Sequence, residues 1–296
     1  MRMIIVIIRI KMYAYAKFTS ERKTNMNLRV VIMCFVALIS LSSNATNKIV
    51  TAGGTVTEIV FALGMGDRVV AIDQSSSFPS EIKSLPSVGY YRDMSAEGIL
   101  STGLDTLLVL EGGGRKEVLQ QVKAAGVKVI VYRKATSIGS LIELVKNIGG
   151  DLEKQDAAKQ LVKNIQASLP EASNEIKGSG LFLLSAGERG LIAAGSETVP
   201  QLLFDYVGVK NVASHQGFKT LGLESLAILQ PDFLFAPAHS VAGIGGAKAF
   251  CNQPSLALLQ AAKECRLLVM DSLLALGMTP RIAKAIDLLD SFIKEK

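Results

Sequence analysis

The feature that most constrains the fold of this chain is an internal duplication of two sequence words in the same order. Thr55-Val56-x-x-Ile59-Val60-Phe61 returns as Thr198-Val199-x-x-Leu202-Leu203-Phe204, each time after a short apolar strand and a glycine-containing turn. Further along each copy, Ser95-Ala96-Glu97-Gly98-Ile99-Leu100 leads to Asp105 and the apolar run Thr106–Leu110. In the second copy Gly222-Leu223-Glu224-Ser225-Leu226-Ala227 leads to Asp232 and Phe233–Ala236. A short helix with a glutamate in its first turn therefore feeds a buried strand twice. Two elements repeated in one order predict two lobes built on one plan. Strands alternating with helices predict parallel sheets, and so an α/β fold of two Rossmann-like lobes. Thr55 and Glu58 have capping-box spacing, and Val56, Ile59, Val60 and Leu63 share one helical face before Gly64 ends it.

Between the copies, residues 151–174 are polar and rich in helix formers, with Leu152, Leu161, Val162, Ile165 and Leu169 at helical spacing. A single helix of about 24 residues would be about 36 Å long, enough to bridge two lobes, with Pro170 kinking it near its end. The predicted organisation is an N-terminal extension and signal peptide over 1–45, an α/β lobe over 46–150, a connecting helix over 151–176 and a second α/β lobe over 177–296. A cleft between two such lobes is an architecture for holding a ligand.

The net charge of +6 belongs to the N-terminal segment. Residues 1–45 carry seven basic side chains against Glu21, and the remaining 251 residues hold 25 basic and 25 acidic ones. A basic patch for nucleic acid is therefore not supported. Met26-Asn27-Leu28-Arg29 is a short basic start, 30–41 is an uncharged apolar run, and Ser43-Asn44-Ala45 places small residues at a cleavage site. This is the pattern of a secretory signal peptide, with the mature chain starting near Thr46 and either Met1 or Met26 as initiator. The apolar run is too short for a membrane span. Cys34 follows Val31-Ile32-Met33 rather than small residues, which argues against a lipid-anchored cysteine. A free, exported protein of the periplasm is expected. There, Cys251 and Cys265 either pair across 14 residues or remain separate thiols.

Catalytic signatures are absent. Gly112-Gly113-Gly114 lacks dinucleotide-binding spacing, and 243–248 lacks the Gly-Lys-Ser/Thr of a phosphate loop. There is no nucleophile elbow and no His-Glu-x-x-His. With two histidines and three cysteines, a His-rich or Cys-rich metal cluster is excluded. What remains is the loop Gly89-Tyr90-Tyr91-Arg92-Asp93-Met94-Ser95 ahead of the first glutamate helix. A phenolate is a hard oxygen donor suited to ferric iron, and a nearby arginine favours the anion. Taken alone, such a loop is more often a surface turn.

The run Val88-Gly89-Tyr90-x-Arg92-x-x-Ser95-Ala96-Glu97-Gly98-Ile99-Leu100 resembles the periplasmic haem-binding proteins of bacterial ABC haem importers, relatives of the cobalamin- and siderophore-binding proteins. The similarity continues through Glu111-Gly112-Gly113-Gly114, Lys123-Ala124-Ala125-Gly126-Val127, Phe218-Lys219 and Leu276-Gly277-x-x-Pro280-Arg281. The resemblance implies ferric haem b as the transported ligand, Tyr90 as its axial iron ligand and Arg92 as support for the phenolate. It also implies Phe218 as an apolar wall, although relatives often carry Tyr there. Arg281 is then either a propionate contact or a buried structural arginine. Glu97 and Glu224, one per lobe, would meet arginines of a two-fold permease dimer that works with its ATPase. Some relatives add an axial histidine in the turn that here reads 185–190, where none is present. Five-coordination by Tyr90 is therefore the default, with His239 or Met278 as a weak sixth ligand. A monomer is expected, with neither nucleic acid nor a stable membrane anchor. The alternatives are capture of cobalamin or a ferric siderophore on the same fold, an exported α/β enzyme with a nonstandard site, and an adhesion protein using Glu97 and Glu224 as contacts.

Overall fold

The computed structural model describes residues 47–295, apart from 188, 189, 223–225, 227 and 229. The signal peptide, Cys34, part of the turn over 185–190, Glu224 and most of its predicted short helix lie outside the described residues. The first half holds β1 (Ile49–Ala52), α1 (Gly54–Ala62), β2 (Val69–Ile72), α2 (Ala96–Leu100), β3 (Thr106–Leu110), α3 (Lys116–Ala124) and β4 (Lys128–Tyr132). Its sheet is entirely parallel, in the order β2-β1-β3-β4. Two helices follow, α4 (Ile138–Asp151) and α5 (Gln155–Ser168). The second half runs β5 (Gly178–Ser185), β6 (Leu191–Ala194), α6 (Val199–Val207), β7 (Val209–Asn211), β8 (Phe218–Leu221) and β9 (Phe233–Pro237). It continues through α7 (Ala238–Gly243), α8 (Ala247–Cys251), α9 (Gln260–Lys263), β10 (Leu267–Met270), α10 (Ser272–Leu276) and α11 (Ile282–Lys294).

The duplication survives in the sheets. In the second half β7, β9 and β10 join β5 in parallel in the order β7-β5-β9-β10, the same order as β2-β1-β3-β4. The repeated aspartates explain part of the repeated sequence. Asp105, just before β3, accepts from the backbone N–H of Lys48 at 2.8 Å. Asp232, just before β9, accepts from the N–H and the hydroxyl of Ser179 at 2.6 and 2.8 Å. Each carboxylate thus pins the start of the neighbouring central strand. The second sheet departs from an all-parallel expectation because β6 and β8 add antiparallel to it. Along β5 the same edge passes from β7 (Gly178–Gly180) to β6 (Leu183–Ser185), so the eight-residue strand serves two partners.

Side-chain alternation sorts the core into three layers. Leu107 and Val109 face one cluster with Val50, Met94, Ile99 and Val122. Leu181, Leu183 and Leu234 face another with Phe250, Leu256 and Leu259. The intervening residues Ile49, Leu108, Phe182, Phe233 and Phe235 turn to a third cluster that also takes in α1, α4, α5, α6, α10 and α11. Both halves therefore share one core, and a connecting helix is not all that joins them.

That connection also differs from the expected single 24-residue helix. Leu152–Lys154 reverses the chain, with Glu153 at φ 57, and Gly149 of α4 packs so closely on Ala158 of α5 that a side chain would not fit. The result is a helical hairpin with a 14-residue second arm of about 21 Å. It stops at Ser168 because Leu169 precedes Pro170, which excludes helical backbone, and Leu169 is extended with ψ 128. Pro170 ends the helix rather than kinking it.

The Thr55–Glu58 capping box is likewise corrected. Helix α1 begins at Gly54 with Gly53 as its cap, and no side chain of the helix caps it. Cys251 and Cys265 form a disulfide with a Cα separation of 5.4 Å. No helix among the described residues is long and apolar enough to cross a membrane.

Candidate functional site

Most candidate ligand residues follow the carboxyl ends of strands. Tyr90 and Arg92 lie in the loop after β2, His239 in the first turn after β9, and Met278 and Arg281 beyond β10; Phe218 opens β8. In open parallel sheets ligands are held at that end, where successive loops converge.

The Tyr90 loop is fastened at both ends. Val88 donates its N–H to Ile72 O at 2.8 Å and Ile72 donates to Pro86 O at 3.0 Å, extending the sheet edge beside β2. Gln74 N–H donates to Gly89 O at 2.9 Å, and Gly89 takes φ 94, a conformation that a side chain would strain. Asp93 N–H closes a turn on Tyr90 O at 2.8 Å, Gly114 N–H holds Tyr91 O at 2.6 Å, and Arg115 pairs with Asp93 at 2.8 Å on the surface.

The loop after β2 is itself organised by Asp73, which is fully buried. Its carboxylate accepts from Gly53 N–H at 2.9 Å, Ser75 N–H at 2.8 Å and the Ser76 hydroxyl at 2.7 Å. Thr57 and Thr51 extend the network. Asp73 therefore caps α1 from a distance, which is why Thr55 is not needed for it.

On this frame Tyr90 is 45% exposed whereas Tyr91 is buried. The two rings meet edge to face at 5.2 Å. Arg92 donates from Nε to the Tyr91 hydroxyl at 2.9 Å, and among the described residues its support of Tyr90 is electrostatic rather than a hydrogen bond. That bond raises the guanidinium pKa above its usual value against the opposing effect of burial, and the two phenols add electrostatic support. Ser95 caps α2 by accepting from Gly98 N–H at 3.0 Å, and Glu97 stands exposed in its first turn.

The remaining candidates are engaged locally. Phe218 is 42% exposed, with its ring edge-on to the buried Phe182 at 6.3 Å. His239 pairs through Nδ1 with the Ser272 hydroxyl at 2.7 Å, and its Nε2 lies 3.3 Å from the Ser240 hydroxyl. Desolvation lowers its pKa, favouring the neutral ring. Met278 is buried in the shared core. Arg281 donates from Nε and Nη2 to Glu58 Oε2 at 3.0 and 2.8 Å, and its guanidinium carbon lies 3.8 Å from the centre of the Phe78 ring. Glu58 is buried; desolvation raises its carboxyl pKa against the downward pull of Arg281, and Oε1 has no hydrogen-bond partner among the described residues.

No hydrogen bond or ring contact joins Tyr90 to Phe218, His239, Met278 or Arg281 among the described residues. The halves are instead linked through other residues. Leu273 of α10 packs so tightly on Gly54 that an added Cβ would lie 2.8 Å from its Cδ1, and Arg281 stacks on Phe78. A cavity of about 420 Å³ beside the loop is lined by Asp93, Ser95, Arg115, Glu117 and Gln121. A second, of about 680 Å³ among Ser196, Glu197, Gln201, Asp205, Lys210 and Asn211, contains none of the candidate ligand residues.

Glu58, Asp73, Phe78 and Tyr91 were not legible as site residues. For Glu58 a signal existed: a carboxylate amid Val56, Ile59 and Val60 on an apolar helix calls for a buried cation.

Known proteins share this fold. A solved structure of the periplasmic heme-binding protein RhuT from Roseiflexus sp. RS-1, in apo form, is 30% identical with a TM-score of 0.76, covering 83% of this chain and 97% of that one. The substrate-binding lipoprotein YvrC of Bacillus subtilis, described as an uncharacterized ABC transporter component, is 26% identical over 251 residues, 81% of this chain and 77% of that protein. A vitamin B12-binding protein of Vibrio parahaemolyticus is 23% identical over 216 residues, 71% of this chain and 78% of that protein. The family model described as "Periplasmic binding protein" matches residues 49–274, and the chain belongs to that family.

Proposed function

We propose that this protein captures ferric haem b in the periplasm and delivers it to the permease dimer of an ABC importer and its ATPase. The observation that carries the reading is Tyr90: an exposed phenol on a turn fastened by backbone hydrogen bonds, with a guanidinium two residues on. A macrocycle that brings four nitrogens of its own needs from the protein one axial donor, and a phenolate oxygen meets the preference of ferric iron. The 30% identity to a heme-binding structure supports the same reading.

In this proposal Tyr90 is the axial ligand and Phe218 offers an apolar face to the porphyrin. Arg281 is a structural residue, since Glu58 already takes two of its donors. Met278 serves the core, and His239 is the weaker candidate for a sixth ligand. Residues 46–150 and 177–296 act as the two lobes, joined through 151–176, and the N-terminal segment 1–45 directs export of a monomer without a stable membrane anchor. Glu97 and Glu224 dock one lobe each onto the permease.

The test is hemin titration of the purified protein. A red-shifted Soret band that saturates, and is lost in Tyr90→Phe, is expected; an unchanged hemin spectrum refutes the proposal. The relative that binds vitamin B12 favours cobalamin as the second reading. Tight binding of aquocobalamin with no hemin spectrum would select it.

A further inference from the structure

We infer that Tyr91 is a positioning residue of the ligand site, anchoring Arg92 by its side-chain oxygen so that the guanidinium meets the ligand in one fixed orientation. The inference rests on the haem reading. Tyr91 is the buried member of the pair, and its own placement is determined from two sides. Gly114 N–H holds its carbonyl at 2.6 Å, and the glycine turn after β3 lies against its ring, where a Cβ on Gly113 would come within 3.2 Å of Cδ2.

From that fixed ring the hydroxyl accepts Arg92 Nε–H at 2.9 Å. Binding through Nε leaves both terminal nitrogens of the fork without a hydrogen-bond partner among the described residues. An exposed arginine samples many rotamers and loses that freedom when it meets a ligand. Anchoring at Nε removes most of that loss from the binding step while keeping the donors that pair with carboxylates or a phenolate. Tyr91 also packs edge-on against Tyr90 at 5.2 Å, so the neighbour that supports the candidate ligand orients the charge as well. Tyr91→Phe is therefore the clean substitution: it keeps the ring and removes only the acceptor.

The experiment is a double-mutant cycle on hemin release from the full protein, followed by transfer to excess apomyoglobin. Tyr91→Phe is expected to retain the Soret band but release hemin about fivefold faster, the effect of one ordinary hydrogen bond. In an Arg92→Ala background the same substitution should change nothing, because Tyr91 acts through Arg92. In ligand-free protein, the Arg92 Nε–H resonance should be distinct in the wild type and merge with those of the exposed arginines in Tyr91→Phe. An unchanged release rate in Tyr91→Phe, or the same acceleration with Arg92 absent, overturns the inference while leaving haem capture standing. Failure of the wild type to bind hemin, or an unaltered spectrum in Tyr90→Phe, overturns both.

Discussion

Replacing Arg281 with methionine is the sharpest test of how the two halves are held together. Glu58 is 2% exposed at its side chain and Arg281 18%, and both hydrogen bonds between them fall on Oε2 at 3.0 and 2.8 Å. Methionine keeps most of the apolar stem but leaves a buried carboxylate with no cation, on a residue whose Oε1 already lacks a hydrogen-bond partner among the described residues. Breaking a buried pair in this way, together with the lost stacking on Phe78, is expected to cost about 3–4 kcal/mol. For a unit of this size that lowers Tm by about 10 °C.

The deficit should depend on pH. Burial already raises the Glu58 carboxyl pKa above 4.5, and without Arg281 it rises further. A carboxyl that binds its proton more tightly when folded carries its full stability contribution below the unfolded pKa and loses it as pH rises through the folded one. The variant loses more than the wild type, so the gap between them is widest at neutral pH and narrows as pH falls toward 4.5. Urea denaturation at several pH values measures this, and Glu58→Gln in the same background should restore most of the stability and flatten the pH dependence. A deficit that ignores pH, or that persists after Glu58→Gln, would refute the reasoning.

Other outcomes are equally definite. Reducing the Cys251–Cys265 disulfide should lower the unfolding free energy by about 3 kcal/mol, the value for a closed loop of 14 residues; an unmoved urea midpoint would contradict it. Glu97→Lys should abolish stimulation of the importer ATPase in proteoliposomes without altering the hemin spectrum, because Glu97 is exposed in the first turn of α2, after the Tyr90 loop. Ligand addition should leave the radius of gyration from small-angle scattering nearly constant, since one core runs through both halves; a large closure would count against it.

Much of the architecture is written in local pattern. The strands Thr106–Leu110 and Phe233–Pro237 and the helix Ala96–Leu100 are found where the repeated words predict them, and Asp105 and Asp232 recur because each must pin a neighbouring strand. The Gly-Tyr-x-Arg run was visible for the same reason: its residues are adjacent in sequence, so their chemistry is read together. The additions to the second sheet were less legible, because β6 and β8 are short, pair antiparallel and themselves lie outside the duplicated words.

What the sequence determined by itself was periodicity, duplication and the proximity of near neighbours, all consequences of backbone geometry over a few residues. What tertiary structure alone decided were the partners. Glu58 has the spacing of a cap but lies opposite Arg281, 223 residues away. Arg92 stands two residues from Tyr90 but bonds to Tyr91, because burial of that ring presents its hydroxyl to the guanidinium. The two cysteines are bonded because α8 and the segment before β10 bring their Cα atoms to 5.4 Å. A buried charge or donor must be satisfied by whatever the packed chain brings within about 3 Å, and that distance is a property of the whole fold rather than of any stretch of it.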